Sequence, residues 1–196
     1  GTPFCILIAG YWTRDHGDNS GTPPDGPLRT TYGVYPAGGQ FDAGQGASVG
    51  LNVGAQGAGI EPIWQSAFTD FLKAEGALKL ATAGTPRALL ESAVRKSIDK
   101  VTGYPATVSV TVPATLMPDQ AKKDAYVAKV LALYDAATSD DARMEVIMKE
   151  YYVALWGNGY EAYNNYRRTG KPGNMQPTLN ASPGEFVRSN LYPSDF

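Results

Sequence analysis

SDDARMEVIMKEYYVALWGNGYEAYNNYRRTGKP, residues 139–172, is the stretch that decides the fold. Ser139 before Asp140 and Asp141 reads as an N-cap with an acidic first turn. A hydroxyl accepts from an orphan N–H, and carboxylates suit the positive end of a helix dipole. Met144, Ile147, Met148, Tyr151, Leu155 and Trp156 then recur at three- and four-residue spacing. Gly157-Asn158-Gly159 interrupts the pattern. A last helical stretch follows and ends at Gly170, after Arg167 and Arg168, cations suited to a helix C-terminus. Helix, tight break and helix make this end of the chain α.

Working outward, the same periodicity holds upstream. Pro62 is expected to open a helix at its first turn, where a missing N–H costs nothing. Trp64, Phe68, Phe71, Leu72, Leu78 and Ala81 follow at helical spacing, and Gly84 is expected to end it. Thr85-Pro86 reads as N-cap and first helical residue. Leu89, Leu90, Ala93, Val94, Ile98 and Val101 line the next helix, with Gly103 as its stop. The two make an αα-hairpin of about 40 residues. TVSVTV at 107–112 alternates between two prolines and predicts a short edge strand or an extended linker. Pro118 is expected to open a third helix through Ala125, Val127, Val130, Leu131 and Tyr134. Two helix pairs in succession suggest a helical-repeat layout, with only a weak match to a tetratricopeptide consensus.

The chain has a second regime. Residues 1–60 hold 14 of the 22 Gly, no Lys, two Arg and four Asp. Phe4–Ala9 is apolar and suits a short strand or buried entry segment. TPPDGP at 22–27 and YPAGGQFDAG at 35–44 are turn chemistry. So long an irregular stretch usually means a functional loop or a chain that wraps a partner domain.

Composition sets outer limits. With 43% hydrophobic and 18% charged residues, the 196-residue chain can bury a core. A net charge of −2 is a poor match for a run of phosphates, so nucleic acid is not an expected partner. One Cys and one His exclude a disulfide framework and multi-His metal sites. No run of about 18 apolar residues occurs, so no membrane-spanning helix is expected. No signal peptide is seen, and no apolar run precedes Cys5 to make it a lipid-attachment site.

Leu155-Trp156, the Gly-Asn-Gly turn, Glu161-Ala162-Tyr163 and Tyr166-Arg-Arg-Thr-Gly-Lys-Pro172 together closely resemble the C-terminal signature of the SusD/RagB family. Its members are surface lipoproteins of Bacteroidetes that capture nutrients, usually glycans, for a TonB-dependent transporter. FLKAEGAL at 71–78 resembles the family's "AEA" helix. The segment 14–42 looks like a subgroup-specific loop, and LYPSDF at 191–196 resembles the segment before the family's C-terminus. Members are more than twice this length and carry a lipidated N-terminal Cys, so this chain looks like a C-terminal portion. The resemblance implies a mainly α fold, with tetratricopeptide-like helix pairs and a long irregular Gly/Pro-rich region. Residues 1–60 would be irregular, 61–170 helical-repeat-like and 171–196 an irregular tail, all within one larger SusD-like domain. It also implies an outer-membrane, surface-exposed location, held only through a lipid anchor outside this chain. The implied partners are an oligosaccharide and a SusC-like TonB-dependent transporter. No covalent step and no cofactor are implied, and some members capture peptides.

Sugar rings stack on exposed aromatic faces while polar groups grip their hydroxyls. Tyr11, Trp12, Tyr32 and Tyr35 lie in the irregular region, where such a platform can be displayed, with Arg14, Asp15 and Arg29 beside them. These seven are the candidate ligand-binding residues, although packing of the loop on the helices is the plainer account. Trp64, Phe68, Phe71, Tyr151 and Trp156 are expected in the core. Asp15, Asp18, Asn19 and Asp25 are a weak Ca²⁺ candidate, because oxygen ligands cluster without EF-hand spacing. Asx-turns explain them equally well. Arg167 and Arg168 could grip an anion, but a helix terminus accounts for them. Glu150 and Glu161 could be a hydrolase acid pair, although ion pairs are the ordinary reading. The rivals to capture are therefore a glycan hydrolase and a helical scaffold that binds only protein.

Overall fold

The computed structural model describes residues 60–109, 111, 114, 117–180, 182 and 184, and the backbone of 6–7 and 10–11. The fold is mainly helical. Among the described residues five helices follow one another: α1 (Ser66–Leu80), α2 (Pro86–Thr107), α3 (Gln120–Ala136), α4 (Asp140–Ala154) and α5 (Gly159–Thr169). Ahead of them, β1 (Ile6–Leu7) pairs antiparallel with β2 (Gly10–Tyr11), with Ile6 opposite Tyr11. The expected strand in 4–9 is thus present in part.

Each helix buries one stripe. Ala67, Phe68, Phe71 and Ala74 of α1 meet Leu90, Ala93 and Val94 of α2 in one core. Val127, Val130, Leu131 and Tyr134 of α3, and Met144, Ile147, Met148 and Tyr151 of α4, complete it. These spacings are the helical period that the sequence carries. At its centre the Tyr151 ring stacks on Phe71, with centroids 5.0 Å apart and planes 14° from parallel. Phe68 leans on the same ring at 5.7 Å. Fully burying one such side chain contributes about 1.5–3 kcal/mol.

Helix direction follows from the polar pairs. Asp70 of α1 accepts from Lys96 of α2 at 2.5 Å. Arg87 and Arg95 of α2 pair with Asp135 and Asp124 of α3, in that order. Tyr126 of α3 donates to Glu150 of α4 at 2.7 Å. Early residues of one helix face late residues of the next, so α1 to α4 alternate in direction. α1 packs on α2 and α4, and α3 packs on the same two. The exposed ion pairs steer this register more than they stabilise it.

Several boundaries differ from expectation. Pro62 does not open α1. It is buried ahead of an N-cap at Gln65, and the helix starts at Ser66. α1 stops at Leu80, before Gly84, because Ala81 turns left-handed at φ 52°. Gly103 does not stop α2, which runs through Pro105 to Thr107. Tyr104 and Pro105 are both buried, and that burial offsets the rung lost where proline has no N–H. The expected edge strand or extended linker at 107–112 is therefore overturned at its start: Thr107 ends the helix, and Ser109 sits at φ 57°, outside any extended run. Pro118 does not open α3. Asp119 is the N-cap, and its carboxylate accepts the Lys122 N–H at 2.8 Å. Ser139 caps α4 as expected, accepting the Ala142 N–H at 3.1 Å.

Candidate functional site

The break between α4 and α5 is a built junction. α4 ends at Ala154, with the Leu155 side chain buried, and Gly157 takes φ 91°, a conformation that favours glycine. Asn158 is buried and uses both ends of its amide. Its carbonyl oxygen caps α5 by accepting the Glu161 N–H at 3.0 Å. Its Nδ2 donates to the Pro62 carbonyl at 2.9 Å and to the Ile63 carbonyl at 3.1 Å. One side chain thus starts the last helix and holds the segment that enters the first. In the sequence, Asn158 reads only as part of a helix break. The signal that could have found it is Asn158 followed three residues later by Glu161, the spacing of a capping box.

Large apolar side chains lie exposed on both chain segments that meet at this junction. Trp156 is 60% exposed, Tyr160 84% and Trp64 52%, and Ile63 is also exposed. Trp64 and Trp156 are therefore not core residues, contrary to expectation. Both stand just beyond a helix end, where the helical period no longer fixes which way a side chain points. Phe68, Phe71 and Tyr151 are buried as expected. Exposed aromatics on a braced backbone offer stacking faces at little ordering cost.

The charged side chains of the signature are engaged in structure. Arg168 pairs with Glu75 of α1 and donates to Asn165 Oδ1 at 2.8 Å. The Arg167 guanidinium lies over the Tyr163 ring, 5.6 Å from its centroid. Gly170 ends α5 at φ 69°, as the sequence implied. Beyond it, Lys171 pairs with Asp141 and Glu145 of α4. Glu145 also accepts the Gly173 N–H at 2.8 Å, fastening the chain that follows α5.

Glu150 and Glu161 do different work. Glu150 is buried against α3 and held by Tyr126. Burial pushes its carboxyl above the usual range, and the Tyr126 hydrogen bond only partly opposes this. Glu161 sits in the first turn of α5. Burial likewise pushes the Tyr151 hydroxyl up to about 12, opposed by the neighbouring Asn165 side chain.

Of the seven candidate ligand residues, only Tyr11 is placed, as backbone in β2. Trp12, Arg14, Asp15, Arg29, Tyr32 and Tyr35 lie outside the described residues, as do the Ca²⁺ candidates Asp15, Asp18, Asn19 and Asp25. Among the described residues no cluster of three or more His, Cys, Asp or Glu could hold a metal, and no helix is long and apolar enough to cross a membrane.

The signature segment, the junction and all five helices fall within residues 58–193, which match the family model described as SusD-like, SusD and RagB outer membrane lipoprotein. The chain belongs to the SusD-like family. No curated protein and no solved structure matches it. The family is one of outer-membrane, nutrient-binding lipoproteins, generally without catalytic activity. In this SusD-like chain the match begins at 58, so the loop at 14–42 that looked like a subgroup feature lies outside it.

Proposed function

We propose that the protein captures an oligosaccharide at the cell surface, leaves it chemically unchanged, and passes it to a SusC-like TonB-dependent transporter. The observation that carries this reading is the family match over residues 58–193. Exposed Trp64, Trp156 and Tyr160 around a braced junction add chemistry suited to sugar faces. Tyr11, Trp12, Arg14, Asp15, Arg29, Tyr32 and Tyr35 would supply a second platform from the irregular region. The two hairpins α1–α2 and α3–α4 serve, in this reading, as tetratricopeptide-like pairs that form the rigid frame. Selectivity comes from stacking and hydroxyl hydrogen bonds, and affinity is modest because the ligand must be released onward.

The test is incubation of the chain with panels of glycans and peptides. Tryptophan fluorescence follows binding and mass spectrometry follows products. Binding of glycans with unchanged mass is the expected result. New product masses would refute capture without chemistry, and binding of peptides alone would move the ligand class.

A further inference from the structure

A cavity of about 230 Å³ opens between the start of α1 and the middle of α2. Its lining is Trp64, Gln65, Ser66, Ala67, Lys96 and Lys100. The Trp64 indole forms one wall and is fixed in place. Its Nε1 donates to Thr69 Oγ1 at 3.0 Å, and its ring meets Phe68 edge-on, with centroids 6.0 Å apart and planes at 88°. The facing wall carries two cations one helical turn apart. Lys96 is compensated by Asp70. Lys100 lies over the Tyr104 ring at 5.9 Å and has no carboxylate partner among the described residues. Nothing acidic lies in the first turn of α1, and no side chain caps it, so the helix start beside the cavity adds a partial positive charge.

A flat apolar wall opposite an uncompensated ammonium suits a ligand with a ring face and a negative charge. The volume lies below the roughly 300–1,000 Å³ of sites for drug-sized ligands, so it suits one ring of a longer chain. We infer that this cavity binds an acidic sugar unit, a ring bearing carboxylate or sulfate, with Trp64 stacking on the ring and Lys100 neutralising the charge. The inference rests on the glycan-capture reading and narrows its substrate class to anionic oligosaccharides.

Calorimetric titration of the full chain with a galacturonic acid trisaccharide, a chondroitin sulfate disaccharide and a neutral galactose trisaccharide tests this. Lys100→Gln and Trp64→Phe are titrated alongside, with circular dichroism to check folding. Lys100 is exposed on α2, so its variant keeps the fold. The expected result is acidic sugars bound about tenfold or more tighter than the neutral one, with that preference lost in Lys100→Gln. Which acidic sugar binds tells carboxylate from sulfate. Equal affinity for neutral and acidic sugars, or no effect of Lys100→Gln, would overturn the anion site while capture stands. Inorganic sulfate bound as tightly as the sugars would also overturn it. No binding of any of the three sugars would overturn the anion site, while capture itself stands or falls on the wider glycan panel.

Discussion

Asn158 couples three backbone groups from two distant segments through one amide. Asn158→Ala removes an N-cap and leaves the buried Pro62 carbonyl and the partly buried Ile63 carbonyl without their donor. The expected loss is about 1–3 kcal/mol, measured by denaturant unfolding. Asn158→Asp keeps the cap but sets a carboxylate oxygen against the Pro62 and Ile63 carbonyls in a buried place, so a loss at least as large is expected at pH 7. Ala81 is a second residue with a readable cost, because it holds φ 52° with a side chain that disfavours it. Ala81→Gly is expected to gain up to about 1 kcal/mol in the same measurement, since the strain relieved exceeds the chain entropy added. Glu150 has the opposite sign from an ion-paired carboxylate. Its folded pKa is raised, so its contribution to stability is fully present below the ordinary Glu range near 4.5 and is lost as pH rises through the folded value. Glu150→Gln keeps an oxygen for Tyr126, and is expected to raise the melting temperature at pH 7 while leaving it little changed at pH 4. None of these three residues announces itself in composition or periodicity, because each depends on a neighbour far away in the chain or on a single backbone angle.

At the scale of elements, the helices were legible where apolar residues repeat. Phe68, Phe71, Val127, Val130, Met144, Ile147 and Tyr151 are all core, and the Ser139 cap is where the hydroxyl and acidic turn placed it. Two kinds of boundary were not legible. α2 passes Gly103 and Pro105 because Tyr104 and Pro105 find a buried place, and tertiary burial outweighs local propensity. Trp64 and Trp156 carry helical spacing but stand past helix ends, and the Trp156 N–H already turns from the four-residue ladder to the Val153 carbonyl at 3.2 Å. The difference can be measured. Phe71→Ala is expected to cost about 3–5 kcal/mol, as truncation of a buried ring does. Trp156→Ala is expected to stay within about 0.5 kcal/mol, with its effect falling on ligand binding instead. Of the candidate site, the sequence singled out the irregular region and passed over the aromatics at the α4–α5 junction, since it assigned both tryptophans to the core.

At the scale of the molecule, family and helical architecture agree, and the matched span takes in every helix among the described residues. The segment near the C-terminus that carries the signature also ties the last helix to the first and to the chain that enters it. Arg168 reaches Glu75, and Asn158 reaches Pro62 and Ile63. The Asn158 clasp spans 96 residues of sequence, and it closes a ring of chain around α1 to α4 like a buckle. Such a closure carries a loop entropy cost that grows with the logarithm of its length, and the cost is least once the four helices have already drawn its ends together. An interaction made after the folding barrier governs escape from the native state and not arrival. Stopped-flow measurements on Asn158→Ala are therefore expected to show unfolding accelerated by most of the lost stability, with refolding near the wild-type rate. The buckle sets the lifetime of the assembled molecule: a chain that folds as fast without it would come undone sooner.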